Sequence, residues 1–262
     1  MIASFFRRLE GEAVDYLLIS GQATILYGAA TFSEDVDLWL SPAAANLERF
    51  ISVLRSCAAR YYKLTPPLAL ENLQRGHGFH FVLPGDASGS EFYLDVMGKP
   101  PRVGGFEQAA TGARYFDTDF GRVHTVGIKE LVEIKKTQRP ADYPIIGRLA
   151  LAHLNDVSAT EGDLLWALEN TFGLPELRTL FAEHRSLLES ALPVLSEPFD
   201  RAARTFLDLG ELTPSLEDDL DAHFDSQGAA LRRADRAYWR GIIDELRALR
   251  AKGALMQEGQ PV

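Results

Sequence analysis

The run "FSEDVDLWLSP" puts two aspartates, Asp35 and Asp37, in alternation with apolar residues in what otherwise reads as a buried strand. Successive side chains of a strand point to opposite faces, so Asp35, Asp37 and Trp39 share one face and Val36, Leu38 and Leu40 the other. Carboxylates at i and i+2 have Cα atoms about 6.5–7 Å apart, close enough for both to reach one divalent cation or to bridge a pair of cations. Hard oxygen ligands of this kind select Mg2+ or Mn2+ over zinc. The tripeptide is common, and it recurs at Asp117/Asp119 and at Asp219/Asp221. The last pair lies in helix-like "LEDDLDAHFD", where i and i+2 do not face each other, and reads as a solvated face. Context has to decide between chemistry and surface.

The upstream context points to phosphate. A strand at "YLLI" runs into Ser20-Gly21 and then a short helix, and a small-residue turn at a helix start exposes N–H groups that favour an anion. Ser33, two residues before Asp35, is a hydroxyl that binds phosphate or closes a turn. Gln22 contacts a nucleotide or starts the helix. An anion-binding turn followed by a strand with two carboxylates is the equipment for attack on a nucleoside triphosphate, with a metal bridging phosphate oxygens.

With those residues on the page, "LLISGQATILYGAATFSEDVDLWL" resembles the signature of the nucleotidyltransferase (polymerase-β-like) superfamily, nearest to the minimal nucleotidyltransferases and the AbiEii-like toxin group. The resemblance implies a short mixed sheet flanked by helices. It also implies a third carboxylate from a later strand, and Asp95 in "EFYLDVMG" takes that place, with Asp117 or Asp119 as the rival. Asp35, Asp37 and Asp95 are then the catalytic and metal-binding set, and Asp95 also assists deprotonation of the attacking hydroxyl. Ser20, Gly21 and Ser33 are the expected phosphate cradle. A second segment, "IKELVEIKKTQRPADYPII", is similar to the Lys, Arg, Asp stretch that follows the catalytic domain in this group; Lys135, Arg139 and Asp142 fit it. Lys135 and Arg139 are there expected to bind the triphosphate, the Arg as a planar fork and the Lys as a point charge. The phosphate turn departs from the family pattern, being Ser20-Gly21 or, one place on, Gly21-Gln22.

The implied activity is Mg2+- or Mn2+-dependent transfer of a nucleoside monophosphate from ATP or another NTP to a hydroxyl. The acceptor stays open among RNA such as a tRNA end, protein and a small molecule. The toxin-like resemblance implies a toxin-antitoxin system and hence an antitoxin partner. The competing reading is a catalytically inactive nucleotide-binding or protein-interaction module of the same fold.

The elements that must position these residues follow from periodicity. Expected are a helix over Ile2–Leu9, strands at Tyr16–Ile19 and Val36–Leu40 with a helix over Ala23–Ala29 between them, and a helix from Pro42 whose apolar face carries Leu47, Phe50, Ile51 and Leu54. Strands "FHFVL" and "EFYLDVM" follow, joined by a turn at "PGDASGS". A hairpin is expected around Gly121 and a basic helix over "IKELVEIKKT". The remainder reads as helices: Ile145–His153, Glu161–Asn170, Pro175–Glu189, Pro198–Leu207, Leu216–Phe224 and Ala229–Lys252, with the tail "QEGQPV" frayed. The fold class is therefore α/β (α+β), a nucleotidyltransferase-like domain over residues 1–145 and a helical domain over 146–262.

Bulk properties set bounds. The 262 residues are 46% hydrophobic and 24% charged with a net charge of −10, which argues against a surface that coats nucleic acid non-specifically. Cys57 is the single cysteine, so no intrachain disulfide or cysteine-built zinc site forms, and a cytoplasmic location is expected. No stretch reaches the length of a membrane span. His77 and His80 have no zinc-like spacing and read as strand-entry residues.

Overall fold

The computed structural model describes residues 2–84 and 91–262; the expected turn at "PGDASGS" lies, apart from Pro84, outside the described residues. The chain divides into two compact units, one made of Met1–Leu26, Thr31–Ile134 and Ala237–Val262, the other of Tyr27–Ala30 and Lys135–Arg236.

The first unit is built on a mixed sheet that has seven strands among the described residues, in the order β3-β4-β5-β2-β1-β7-β6. The strands are β1 (Tyr16–Ile19), β2 (Val36–Leu40), β3 (Arg60–Tyr61), β4 (Gly78–Leu83), β5 (Phe92–Met97), β6 (Arg114–Thr118) and β7 (Gly121–Thr125). β2 runs antiparallel to β1 and parallel to β5, and β1 runs parallel to β7. β1 is apolar and buried along its whole length, the pattern expected of a strand covered on both faces, whereas β2 and β5 each carry a half-buried aspartate. Leu17, Leu18, Leu38, Trp39 and Leu40 are all buried.

Helix α1 (Ile2–Gly11) buries Phe5, Phe6 and Leu9, and Phe5 meets Phe92 of β5 edge-on with ring centroids 5.6 Å apart. Helices α2 (Ser20–Leu26) and α3 (Ala44–Ser56) follow β1 and β2. The face α3 turns inward carries Asn46, Leu47, Phe50, Val53 and Leu54, so Val53 and Asn46 take the place expected of Ile51. Asn46 is buried yet satisfied: its Oδ1 accepts from Asp15 N at 2.8 Å, and its Nδ2 donates to Asp15 O and Ser41 O. It thereby ties the entry of β1 to the exit of β2, fixing the frame in which Asp37 sits.

Three elements of this unit go beyond the expectation: β3, α4 (Leu70–Arg75) and α5 (Phe106–Thr111). The expected fraying of the tail is overturned. Gln260 O accepts from Tyr61 N at 2.9 Å and Val262 N donates to Ala59 O, with Arg60 and Pro261 forming a bridge. The tail covers the open edge of β3, where unpaired backbone groups would otherwise face solvent.

After α6 (Ile128–Lys135), which reproduces the expected basic helix, the second unit is helical: α7 (Asp142–Asp156), α8 (Glu161–Glu169), α9 (Leu174–Glu183), α10 (Arg185–Ala191), α11 (Phe199–Leu209) and residues 214–236 of α12 (Pro214–Ala251). Its core gathers Leu154, Leu164, Leu168, Leu177, Leu180, Phe181, Leu220 and Phe224. Two helices expected on either side of Ser226-Gln227-Gly228 are one, α12; inside that stretch Gln227 donates to Glu169 O at 3.0 Å. The single helix expected over Pro175–Glu189 is divided at His184, whose backbone leaves the helical region. Among the described residues no helix is long and apolar enough to cross a membrane.

Candidate active site, an acidic row on the sheet

Alternation along β2 and β5 buries Val36, Leu38, Leu94 and Val96 and leaves Asp37 and Asp95 half-buried on the opposite face. The strands are parallel neighbours and their register sets Asp37 directly beside Asp95. Adjacent strands lie about 4.8 Å apart, so two carboxylates from segments remote in sequence are brought side by side. On the other side of β5, antiparallel β4 sets His80 opposite Asp95, and His80 Nδ1 lies 2.7 Å from Asp95 Oδ1. A row His80, Asp95, Asp37 therefore crosses three strands. Trp39, on the same face one step along β2, is buried, donates Nε1–H to Gly98 O at 3.0 Å and meets Phe106 edge-on; it closes one end of the acidic face.

Asp35 precedes the first residue of β2. Burial, and next the charge of Asp95, hold its carboxyl above the ordinary aspartate value; Lys63 and His80 pull the other way and Glu34 adds to the rise. Like charges that share a site raise one another's pKa. Asp35, Asp95, His80 and Lys63 thus belong to one electrostatic neighbourhood.

α2 covers Ser20–Leu26 rather than the expected Ala23–Ala29, so that Ser20 and Gly21 open the helix directly after β1, and this junction has a specific construction. Ser20 takes a left-handed conformation at φ 57°, uncommon for a residue with a Cβ and a feature that clusters at functional sites. Its carbonyl accepts from Thr24 Oγ1 at 2.6 Å. Gly21 is required by close approach: a Cβ there would lie 2.1 Å from Ser33 Oγ. Ser33 Oγ in turn donates to Asp35 O at 3.3 Å, and Gln22 Nε2 donates to Ser33 O at 3.0 Å. Ser20, Gly21, Gln22 and Ser33 consequently form one knot that holds the approach to Asp35, and the space at Gly21 is taken by the Ser33 side chain.

The other expected residues have their own surroundings. Asp117 is exposed on β6, at the edge of the sheet and separated from β2 by β1 and β7, with Asp119 in the turn beyond it. Asp219, on α12, pairs with Arg201 at 2.9 Å. Lys135 and Arg139 belong to the second unit and meet there on Asp142: Lys135 Nζ at 3.2 Å from Oδ1 and Arg139 Nε at 3.1 Å from Oδ2. Both side chains of the Lys135–Asp142 pair are 8% exposed, whereas Arg139 is 68% exposed. His80, expected as a strand-entry residue, lies inside β4 against Asp95, and Lys63, which the sequence did not single out, acts on Asp35. Tyr93, two residues before Asp95 on β5, meets Tyr62 with ring centroids 4.5 Å apart.

The donors suit a hard divalent cation in kind, being carboxylate oxygens, that of Asp35 raised in pKa first by burial and next by the charge of Asp95. As placed, no group of three or more His, Cys, Asp or Glu among the described residues is gathered to hold a metal ion.

Comparison with protein-family models finds no match, and no curated protein matches the chain. Among solved structures, a crystal structure of a Thermotoga maritima protein, provisionally assigned as a nucleotidyltransferase, is similar at a TM-score of 0.36 and 12% identity, over 58% of this chain and 86% of that one. A likeness of that depth carries no argument about activity, which rests on the residues themselves.

Proposed function

We propose that this chain is a divalent-metal-dependent nucleotidyltransferase that moves a nucleoside monophosphate from an NTP such as ATP to a hydroxyl acceptor. The observation that carries the reading is the in-register pair Asp37 and Asp95, with Asp35 electrostatically coupled to Asp95. In the reaction an acceptor oxygen bonds to the α-phosphorus, the bond from that phosphorus to the β-bridging oxygen breaks, and pyrophosphate leaves. A bound Mg2+ or Mn2+ would supply charge neutralisation at the phosphate oxygens. Asp35, Asp37 and Asp95 would hold it, and Asp95 would accept the proton of the attacking hydroxyl. Ser20, Gly21 and Ser33 shape the approach to Asp35 and would border the phosphates. The reading rests on residues of the first unit. The acceptor would be an RNA end, a protein hydroxyl or a small molecule, and a role as the toxin of a toxin-antitoxin pair would add an antitoxin partner.

A second reading, an inactive nucleotide-binding or protein-interaction module of the same fold, is favoured by one observation: as placed, no three His, Cys, Asp or Glu among the described residues are gathered to hold a metal ion. Incubation with Mg2+, each α-labelled NTP and total RNA or protein separates the two. Transfer by the wild type that is lost in an Asp35→Asn/Asp37→Asn double variant supports the enzyme. Nucleotide binding without transfer, indifferent to Asp95→Asn, supports the module.

A further inference from the structure

His80 is not explained by burial. Its side chain is 29% exposed and that of Asp95 28%, so either could satisfy itself with water, yet the two are 2.7 Å apart. A carboxylate oxygen accepts hydrogen bonds, and in the tautomer that carries its proton on Nδ1 the ring donates to Oδ1. The ring lies along its own strand above Gly78, where an added Cβ would stand 3.7 Å from Nε2; with glycine at that place no side chain comes between the imidazole and β4. The terminal torsion of an aspartate is broad and roughly two-fold, and an unsupported Asp95 would sample it. The imidazole bond selects one orientation and leaves Oδ2 as the second oxygen of the carboxylate on the face shared with Asp37.

We infer that His80 is a positioning residue of the acidic site, holding the Asp95 carboxylate in the orientation in which it binds a divalent cation. The inference rests on the nucleotidyltransferase reading and adds a residue to it. Outer partners that orient a ligating group commonly change metal affinity or activity about 10–100-fold when removed. Asparagine places an amide N–H near the position of Nδ1, whereas alanine removes the donor.

The test uses the full chain as wild type, His80→Asn, His80→Ala and Asp95→Asn. Mn2+ binding is followed by the loss of the free-ion electron paramagnetic resonance signal, and kcat and KM for the NTP come from label transfer. Expected are Mn2+ binding about tenfold weaker and kcat about tenfold lower in His80→Ala, a KM for the NTP close to wild type, recovery of most of both in His80→Asn, and a common thermal midpoint. If His80→Ala matches the wild type while Asp95→Asn is impaired, or if His80→Asn is no better than His80→Ala, the positioning role is overturned and the enzyme reading stands. If the wild type neither binds Mn2+ nor transfers label, both fall.

Discussion

Asp37 and Asp95 stand directly beside each other on neighbouring parallel strands, although 58 positions separate them in sequence. Each faces away from a buried apolar row, and His80 extends the line on the next strand. Two carboxylates side by side repel, and on the far side of Asp95 the imidazole of His80 stands 2.7 Å from Oδ1.

Asp35 gives the first prediction. Its carboxyl is held above the ordinary value, so it ionises less readily folded than unfolded, and ionisation costs stability as pH rises from the unfolded value near 3.8 through the folded one. Asp35→Asn should raise the thermal midpoint at neutral pH and abolish label transfer. The stabilisation should vanish when melting is repeated at a pH below the unfolded value. A midpoint that falls at neutral pH would show that Asp35 is held by structural contacts instead.

Gly21 gives the second. An alanine Cβ would overlap Ser33 Oγ at 2.1 Å and Ser33 Cβ at 2.8 Å, so Gly21→Ala should destabilise by about 1–3 kcal/mol in denaturant unfolding. Ser33→Gly in the same chain should recover part of that loss, a coupling read from the double-mutant cycle. Additive losses would mean that the two residues do not touch.

The Lys135–Asp142 pair gives the third. Asp142 receives Lys135, Arg139 and Thr137, the last through Oγ1 at 2.5 Å. Asp142→Ala would leave a buried ammonium without its partner and should cost about 3–5 kcal/mol. Arg139→Ala, which removes an exposed partner, should cost about 1 kcal/mol or less. Equal losses in chemical unfolding would contradict the assignment of Lys135 as the buried member.

His124 gives the fourth. Burial lowers its pKa from 6.5 and the charge of Asp15 only partly opposes this; Tyr115 stacks on its ring with centroids 4.3 Å apart. A histidine with a depressed folded pKa leaves stability intact above about 6.5 and removes it as pH falls through the folded value. His124→Gln should flatten that part of the stability profile between neutral pH and pH 5. An unchanged slope would assign the acid loss to other groups.

Much of this fold was legible because the signals were local. β1 and β2 occupy the expected Tyr16–Ile19 and Val36–Leu40, since apolar runs bounded by turn residues specify them without tertiary help. His80 was not legible, because its contact with Asp95 depends on strand register and on which strands are neighbours. Asn46 escaped notice as a polar residue on a buried helix face, and the tail because its attachment is backbone hydrogen bonding, which carries no side-chain signature. Ser226-Gln227-Gly228 resembled a break, but the helix hydrogen-bond ladder of α12 runs through it.

The most direct test of the central claim compares label position. Wild-type protein is given Mg2+ and the same NTP labelled either at the α- or at the γ-phosphorus, with the acceptor fraction identified in the transfer assay. Label is expected on the acceptor from the α-position alone, with the γ-label released as pyrophosphate, and neither outcome in the Asp35→Asn/Asp37→Asn variant. Acceptor labelled from the γ-position, or α-transfer that persists in the variant, would contradict the nucleotidyltransferase reading.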